Sequence, residues 1–504
     1  MVSCHAVGRK PPKLAKIWIA WHETIRRAQV AATRRRWNSV RVQAQTTALE
    51  PESSHRFDVT SSNFTKFWIG QGLSQFGMQF SAIALPVLAV TLLHATEAQV
   101  GYLNASMTAA FLLVGLPAGA WIDRWFKRRT MIIADAVRVV TAASVPVLWF
   151  LDVLEMWQLY LLAGIAGIAT VFFDVAYQSF IPFLVHKPDI PGANSRLEAT
   201  SQVARLGGPA LGGLLLKVMS APVLLIADAL GYLASMVFLM MTRDHEAYDR
   251  QQAAAVERRP LLAEIGEGLA FVVRHPAIRL ITASTLISNL TSTLYFTLSP
   301  ILVLRIIGLD GFTYGVIMGA GAIGGLLGAT LTPALRRTMR DSTLIAVSML
   351  VASAGAFGFP LATLAPTRTG ATALLVAADA LMAFGVIVYN ITQVSIRQAL
   401  CPQRLLGRMN ASIRFMVWGV MPISSLASGW LGSALGVVPT TWWAVSLGLL
   451  AVVPLLGLRT TLPPDLLTRH EAQAAADGST IGPHASDLDA DTDAADAASG
   501  PKAE

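Results

Sequence analysis

Charge is scarce in this chain. Asp, Glu, Lys and Arg make up 14% of its 504 residues, where a soluble domain carries about a quarter. That argues against a large soluble enzyme. It also argues against a nucleic-acid-binding domain, despite the net charge of +8, because the basic residues fall between apolar runs and do not gather on one wet face. Cysteine is nearly absent. Cys4 and Cys401 alone give neither a disulfide framework nor a metal cluster. His94, His186 and His275 are isolated and read as loop or interface residues. No phosphate-binding glycine loop occurs, so ATP is not the expected energy source. No enzymatic constellation stands out, and no cofactor or metal is expected. The apolar stretch at 17–21 is too short for the core of a signal peptide.

Apolar residues are abundant, at 54%. They fall into twelve runs, each near the ~20 residues that span a bilayer: 67–93, 99–122, 130–153, 157–184, 200–219, 222–241, 280–304, 314–335, 342–364, 370–394, 411–435 and 441–458. The expected class is an all-α polytopic membrane protein of twelve transmembrane helices in two six-helix halves. Residues 1–62 read as a basic, disordered cytoplasmic extension and 63–242 as the first half. Residues 243–279 read as a cytoplasmic linker, with a surface helix marked by Ile265, Leu269 and Val272. Residues 280–458 form the second half, and the Ala/Asp/Gly/Ser-rich stretch 459–504 is expected to be disordered. Basic residues crowd the connections after even-numbered runs, for example Arg336, Arg337 and Arg340, or Arg397, Arg404 and Arg408. Connections after odd-numbered runs offer Arg368, with Lys217 and Arg305 at helix ends. Both termini are therefore expected in the cytoplasm. A faint repeat supports two equivalent halves: a helix opening at Gly101–Tyr102 is echoed by one opening at Tyr314–Gly315. Repeats of this kind place a substrate site between the halves, near the midplane.

The stretch 115–138, GLPAGAWIDRWFKRRTMIIADAVR, organises the rest. Its apolar flanks need lipid, and its basic turn needs the cytoplasmic face. Gly115 and Gly119, at i and i+4, are expected to let another backbone approach. Gly119, Asp123, Arg124, Lys127, Arg128 and Arg129 resemble the loop between the second and third helices of the major facilitator superfamily. Trp121 and Phe126 depart from its usual Leu and Gly, and the second change bears on the geometry of the turn. The resemblance implies that Asp123 caps a helix of the opposite half in one conformation; a local pair with Arg124 or Arg128 is the alternative. Gly208, Pro209, Gly212 and Gly213 leave one helix face almost bare, which reads first as close helix packing. Their spacing is also similar to the antiporter motif of exporters in the superfamily. With FFDVAYQSFIPFLV and YNITQVSIRQAL…GRMNASIR, the chain over about 64–458 resembles the branch that includes enterobactin exporters and macrolide efflux pumps. The arginine that many antiporters carry on the fourth helix is absent.

Ionisable residues inside apolar runs are costly and face a cavity or a partner. Asp135 and Arg138, at i and i+3, either neutralise each other or couple to protons. Asp174 and Arg205 form either an ion pair or a switch. Asp228 and Asp379 have no evident local partner, which suits reversible proton binding. Gln71, Gln75 and Gln79 share one helix face. With Asn289, Tyr295, Asn390 and Gln393, and with Phe172, Phe173, Tyr177 and Phe296 nearby, they suggest a mostly apolar cavity with a few amides. The expected function is a monomeric, proton-coupled exporter of small amphipathic compounds, drug or siderophore, in the cell membrane. A passive channel and a non-transporting sensor or scaffold are the alternatives.

Overall fold

Helices follow from the apolar runs of the sequence, and some of them open at a capping side chain. In the computed structural model, which describes residues 62–185, 189–242, 261–402, 405–463 and 466, they are α1 (Ser62–Val87), α2 (Glu97–Leu113), α3 (Gly115–Arg124), α4 (Lys127–Phe150), α5 (Met156–Phe180), α6 (Ile190–Leu215), α7 (Ala221–Met241), α8 (Leu261–Arg274), α9 (Pro276–Pro300), α10 (Gly311–Thr338), α11 (Asp341–Ala356), α12 (Arg368–Leu400), α13 (Leu406–Leu435) and α14 (Val437–Gly448). The basic extension, the start of the linker and nearly all of the acidic tail lie outside the described residues. Thr96 and Gln99 form a reciprocal capping box at α2, and Asp310 accepts from the Thr313 amide at the start of α10. Between α13 and α14 the chain turns at Gly436 with φ +89°, a conformation that side chains resist.

Ten helices among the described residues are long and apolar enough to cross a bilayer. Two of the twelve expected runs do not meet that test. The run 99–122 is interrupted at Val114, whose φ of −120° and ψ of −5° separate α2 from α3. Pro117 explains the break: it has no N–H to offer the Leu113 carbonyl. The run 200–219 belongs to α6, which begins at Ile190 and is 26 residues long, but Arg196, Glu198 and Arg205 make it polar. Helix α8 does not simply lie along a surface. Val272 is buried with Ile278, Met409 and Ile413, and Glu267 pairs with Arg408 of α13.

Glycines set how close the helices come. A Cβ on Gly70 would stand 2.9 Å from that of Phe238, and one on Gly231 would stand 2.9 Å from the Leu73 carbonyl oxygen, so α1 and α7 meet backbone to backbone. The hydrophobic clusters are distributed unevenly. One cluster joins helices from before and after residues 242–261: Leu88, Leu103, Leu159 and Leu225 share it with Leu298, Leu302, Tyr314 and Phe359. It lies towards the end of the bundle away from the basic 124–127 turn. Towards the basic end the clusters are separate. Phe64, Ile122, Met131 and Phe180 form one within the N-terminal helices. Ile281, Ile345, Tyr389 and Leu455 form another within the C-terminal helices. The two sets of helices are thus sealed at one end and parted at the other.

Candidate transport pathway

The basic turn connects α3 to α4 through Trp125 and Phe126, both extended, with φ of −94° and −72°. Neither needs glycine, so Phe126 is accommodated without strain. Arg128 donates from Nε to the Leu239 carbonyl at 2.9 Å and from Nη2 to the Met240 carbonyl at 2.7 Å. It therefore caps the end of α7, where the helix dipole is negative. Lys127 stands 5.7 Å over the Phe183 ring, and Arg129 5.1 Å over Phe126. The side chains of Asp123 and Arg124 lie outside the described ones, and with them the expected capping contact of Asp123; the surroundings of Gly119 are outside too. Gly115 does not mediate a close helix approach: a Cβ there would meet nothing within 4 Å. The break before Pro117 turns it into the wall of a cavity.

The bare face of α6 serves two neighbours. Gly208 receives Gln79 of α1, and Gly212 lies against Phe80, its Cβ position 3.3 Å from that ring. Gly213 faces the C-terminal helices, its Cβ position 2.9 Å from the Gly315 Cα of α10, and the Pro209 carbonyl packs on Gly315 as well. A second crossing joins α2 to α13, where a Cβ on Gly101 would lie 2.8 Å from the Gly429 Cα. Polar ties collect around these crossings. Arg305 donates to the Ala95 carbonyl at 2.7 Å, Asn104 to the Thr297 hydroxyl at 3.3 Å, and the Lys217 ammonium stands 3.5 Å over the Phe312 ring.

Towards the basic end a central cavity of about 720 Å³ separates α5 from α12 and α13. Asp174 and Gln178 line it from α5, Arg397 from α12, and Asn410 and Arg414 from α13. Phe111 and Trp418, both in its wall, meet edge to face, with centroids 4.7 Å apart and planes at 80°. The Arg414 guanidinium stands 5.4 Å over the same Trp418 ring. Asp174 feels three guanidiniums, Arg138 most, then Arg414, then Arg205. The expected Asp174–Arg205 ion pair is not formed, because Arg205 is exposed on α6 while Arg138 and Arg414 act more strongly. Arg397 and Arg414 were not singled out as site residues by sequence. Both sit at the edges of apolar runs, where a flanking charge and a cavity charge look alike.

The remaining acids lie between helices. Arg138 pairs with Asp135, and its guanidinium is held between the rings of Phe173 at 4.0 Å and Tyr232 at 4.4 Å. Asp228 accepts from the Ser81 hydroxyl across α1 and α7. Asp379 fits into the notch left by Gly321 of α10, near Tyr295 and Tyr314, and has no ion-pair partner among the described residues.

None of the six expected substrate residues is among the lining of the central cavity. Gln71 and Gln75 border a separate pocket of about 90 Å³ with Trp68, Tyr177 and Thr200. Asn289 donates to the Val417 carbonyl at 3.2 Å, and the Tyr295 hydroxyl to Met382 Sδ at 2.9 Å. Gln393 donates to Asn390 at 3.2 Å. Asn289 and Tyr295 thus tie neighbouring helices, while the amide oxygens of Gln71 and Gln393 are buried without a hydrogen-bond partner. Phe172 stacks on Trp121 and Trp125 at 6.0 and 5.7 Å, also away from the cavity.

Residues 57–483 match the sequence profile of a family described as transmembrane secretion effector. The chain is 27% identical over 371 residues to the multidrug efflux pump Tap of Mycolicibacterium fortuitum, covering 71% of this chain and 85% of that one. It is 21% identical over 390 residues to macrolide efflux protein A of Streptococcus pyogenes, covering 76% and 92%. Its fold is similar to that of a bacterial homologue of the iron transporter ferroportin in an inward-facing state, with a TM-score of 0.62, 17% identity and coverage of 78% and 98%.

Proposed function

The chain belongs to the transmembrane secretion effector family of major facilitator transporters, in its efflux branch, and from that premise we propose that it exports a small amphipathic compound, a drug or a siderophore, by proton-coupled antiport and alternating access. In this reading α2–α3 and α6 cross the cell membrane together with the ten apolar helices. Twelve crossings then form two halves of six with both termini cytoplasmic, and the protein works as a monomer without a cofactor. The basic end is cytoplasmic by its charge, so the central cavity is the site that loads from inside. Its wall combines the Phe111–Trp418 aromatic pair with guanidinium and amide groups, a mixture suited to an amphipathic solute.

The observation that carries the coupling is the place of Asp174. It shares the cavity wall with Arg414, a residue from the other set of helices, and the two interact. Rocking one set against the other changes that distance and the access of water together, so the proton affinity of Asp174 changes with the direction in which the cavity opens. Asp228 and Asp379 are pressed between helices of a single set. Rigid rocking leaves their surroundings alone, and they would couple only through motion inside a set. A passive channel would need a polar route through the apolar Leu88–Leu298 cluster, which disfavours it.

The test is solute flux in proteoliposomes with and without a pH gradient. Asp174→Asn should abolish uphill export yet spare substrate binding in detergent and downhill exchange. If Asp174→Asn, Asp228→Asn and Asp379→Asn all pump like the parent, proton coupling through these acids is wrong.

A further inference from the structure

The charges around the central cavity do not balance. Arg397 and Arg414 line it together with a single acid, Asp174, among the described residues of its wall. Two guanidiniums against one carboxylate leave one net positive charge. The neighbours do not reverse that sign. Arg138 acts on Asp174 but is matched by Asp135, and Arg205 is a further cation acting on the same carboxylate. A cationic solute in this space meets two like charges and one opposite, and an anion meets the reverse.

The two arginines are held differently. Arg397 is only 9% exposed. Its Nε has no hydrogen-bond partner, and no carboxylate among the described residues pairs with it. Tyr389 acts on it electrostatically, but that phenol is engaged by the Thr285 hydroxyl at 2.7 Å and the Ile281 carbonyl at 3.3 Å and brings no counter-charge. An enclosed guanidinium without a carboxylate is costly, and its field favours an anion nearby. Arg414 is exposed in the wall. It stands between Asn410 and Trp418, at i−4 and i+4, so an amide, a guanidinium and an indole form one row along α13, and all three border the cavity. Asp174 acts on Arg414 without forming an ion pair with it, which leaves the N–H donors of Arg414 open to another acceptor. The volume of about 720 Å³ is that of a site for a drug-sized solute.

We propose that the solute loaded here is an anion, a compact aromatic carboxylate, with its carboxylate accepting from Arg414 within the field of Arg397 and its ring lying against the Phe111–Trp418 pair. This rests on the central cavity being the site that loads the exported solute; it does not rest on the coupling proposed for Asp174. The test is a ligand-observed NMR titration of the purified full chain in a neutral detergent with three matched probes: 4-(naphthalen-2-yl)butanoate, the corresponding butanol and the corresponding butylammonium. The carboxylate should bind about tenfold more tightly than the alcohol, the worth of one charge-assisted hydrogen bond, and the ammonium should bind most weakly. Arg414→Gln and Arg397→Gln should each reduce that preference while the alcohol still binds. Arg414 is exposed, so Arg414→Gln decides alone if Arg397→Gln is not recovered monodisperse. Arg337→Gln, an exposed cation on α10 away from this wall, should change nothing. Val394→Trp, which crowds the cavity, should remove all three probes. Equal affinities in the parent protein, or a preference for the ammonium, would overturn the anionic solute while leaving the cavity as the loading site if Val394→Trp still abolishes binding. A carboxylate preference that survives Arg414→Gln, or that Arg337→Gln removes, would overturn it too. Binding of all three probes untouched by Val394→Trp would sink the loading site itself, and the proposal with it.

Discussion

Replacing Gly315 by Ala tests whether the sealed end is a gate. The added Cβ would stand 2.6 Å from the Gly213 Cα and 2.8 Å from the Pro209 carbonyl oxygen, against 3.4–4 Å for ordinary contact. Both neighbours are backbone, so no side chain can turn away, and α6 and α10 must separate by about 1 Å. Overpacking of this kind costs about 1–3 kcal/mol. The cost falls on the state in which this end is closed and vanishes where the helices have parted, so the equilibrium should move towards the opposite state by about 5- to 150-fold. The assay begins from a chain with Cys4→Ser and Cys401→Ser, which removes both native thiols. A reporter Ser179→Cys in the central cavity should then react more slowly with a water-soluble maleimide once Gly315→Ala is added. A second reporter, Leu216→Cys, whose native side chain packs on Gly311, should react faster. Unchanged rates at both sites would refute the gate. A rise at both would mean loosening of the fold without a change of state.

Three further outcomes are expected. Arg138→Ala should lower the yield of monodisperse protein, because it leaves Asp135 buried and unpaired at a cost of about 3–5 kcal/mol; Arg138→Lys should not restore it, since an ammonium cannot fill the planar slot between Phe173 and Tyr232, whereas Asp135→Asn with Arg138→Gln should. Arg128→Ala should lower the melting temperature in detergent by uncapping the Leu239 and Met240 carbonyls, a loss of about 1–3 kcal/mol; a melt equal to the parent's would show that the cap is idle. Asp123→Asn should fold and reach the membrane like the parent while exporting more slowly in proteoliposomes, and a normal rate would remove the role that family resemblance implies for it.

Sequence carried far where a residue's meaning depends on its own helix. The apolar runs, the basic turn and the Asp135–Arg138 pair, at i and i+3, are local facts. Ten helices and the ion pair stand where those patterns put them. The GLPAG segment held the signal for the helix break as well: Pro117 withholds a donor from Leu113. Its glycines invited an interpretation as a packing face, and Gly115 instead opens into a cavity. The amides were less legible. The i, i+4, i+8 spacing of Gln71, Gln75 and Gln79 fixes that they share a face, but not which helix that face meets, and α6 takes Gln79 at Gly208. Arg414 shows the same limit from the other side. Nothing in α13 marks it as a cavity residue until α5 brings Asp174 to the same wall.

The faint repeat gains a physical meaning from the two glycine crossings. Gly101, beside Tyr102, packs on Gly429, and Gly315, beside Tyr314, packs on Gly213. The echoed residues therefore occupy equivalent positions, each laying a backbone of one set on a backbone of the other. Such crossings interlock few side chains, so parting them forfeits little buried apolar area while they hold the helices in register. If the two sets rock as rigid bodies, both crossings must open together, and a Cβ at either should bias the same equilibrium. On Gly101 it would meet the Gly429 Cα and the Ser425 carbonyl oxygen, each at 2.8 Å, much as on Gly315. Gly101→Ala should then reproduce the Gly315→Ala labelling pattern. Combining the two should multiply their effects, because sites that share no partner add in free energy. An effect from one substitution and none from the other would mean that the two crossings open separately, and that the sets bend as they move.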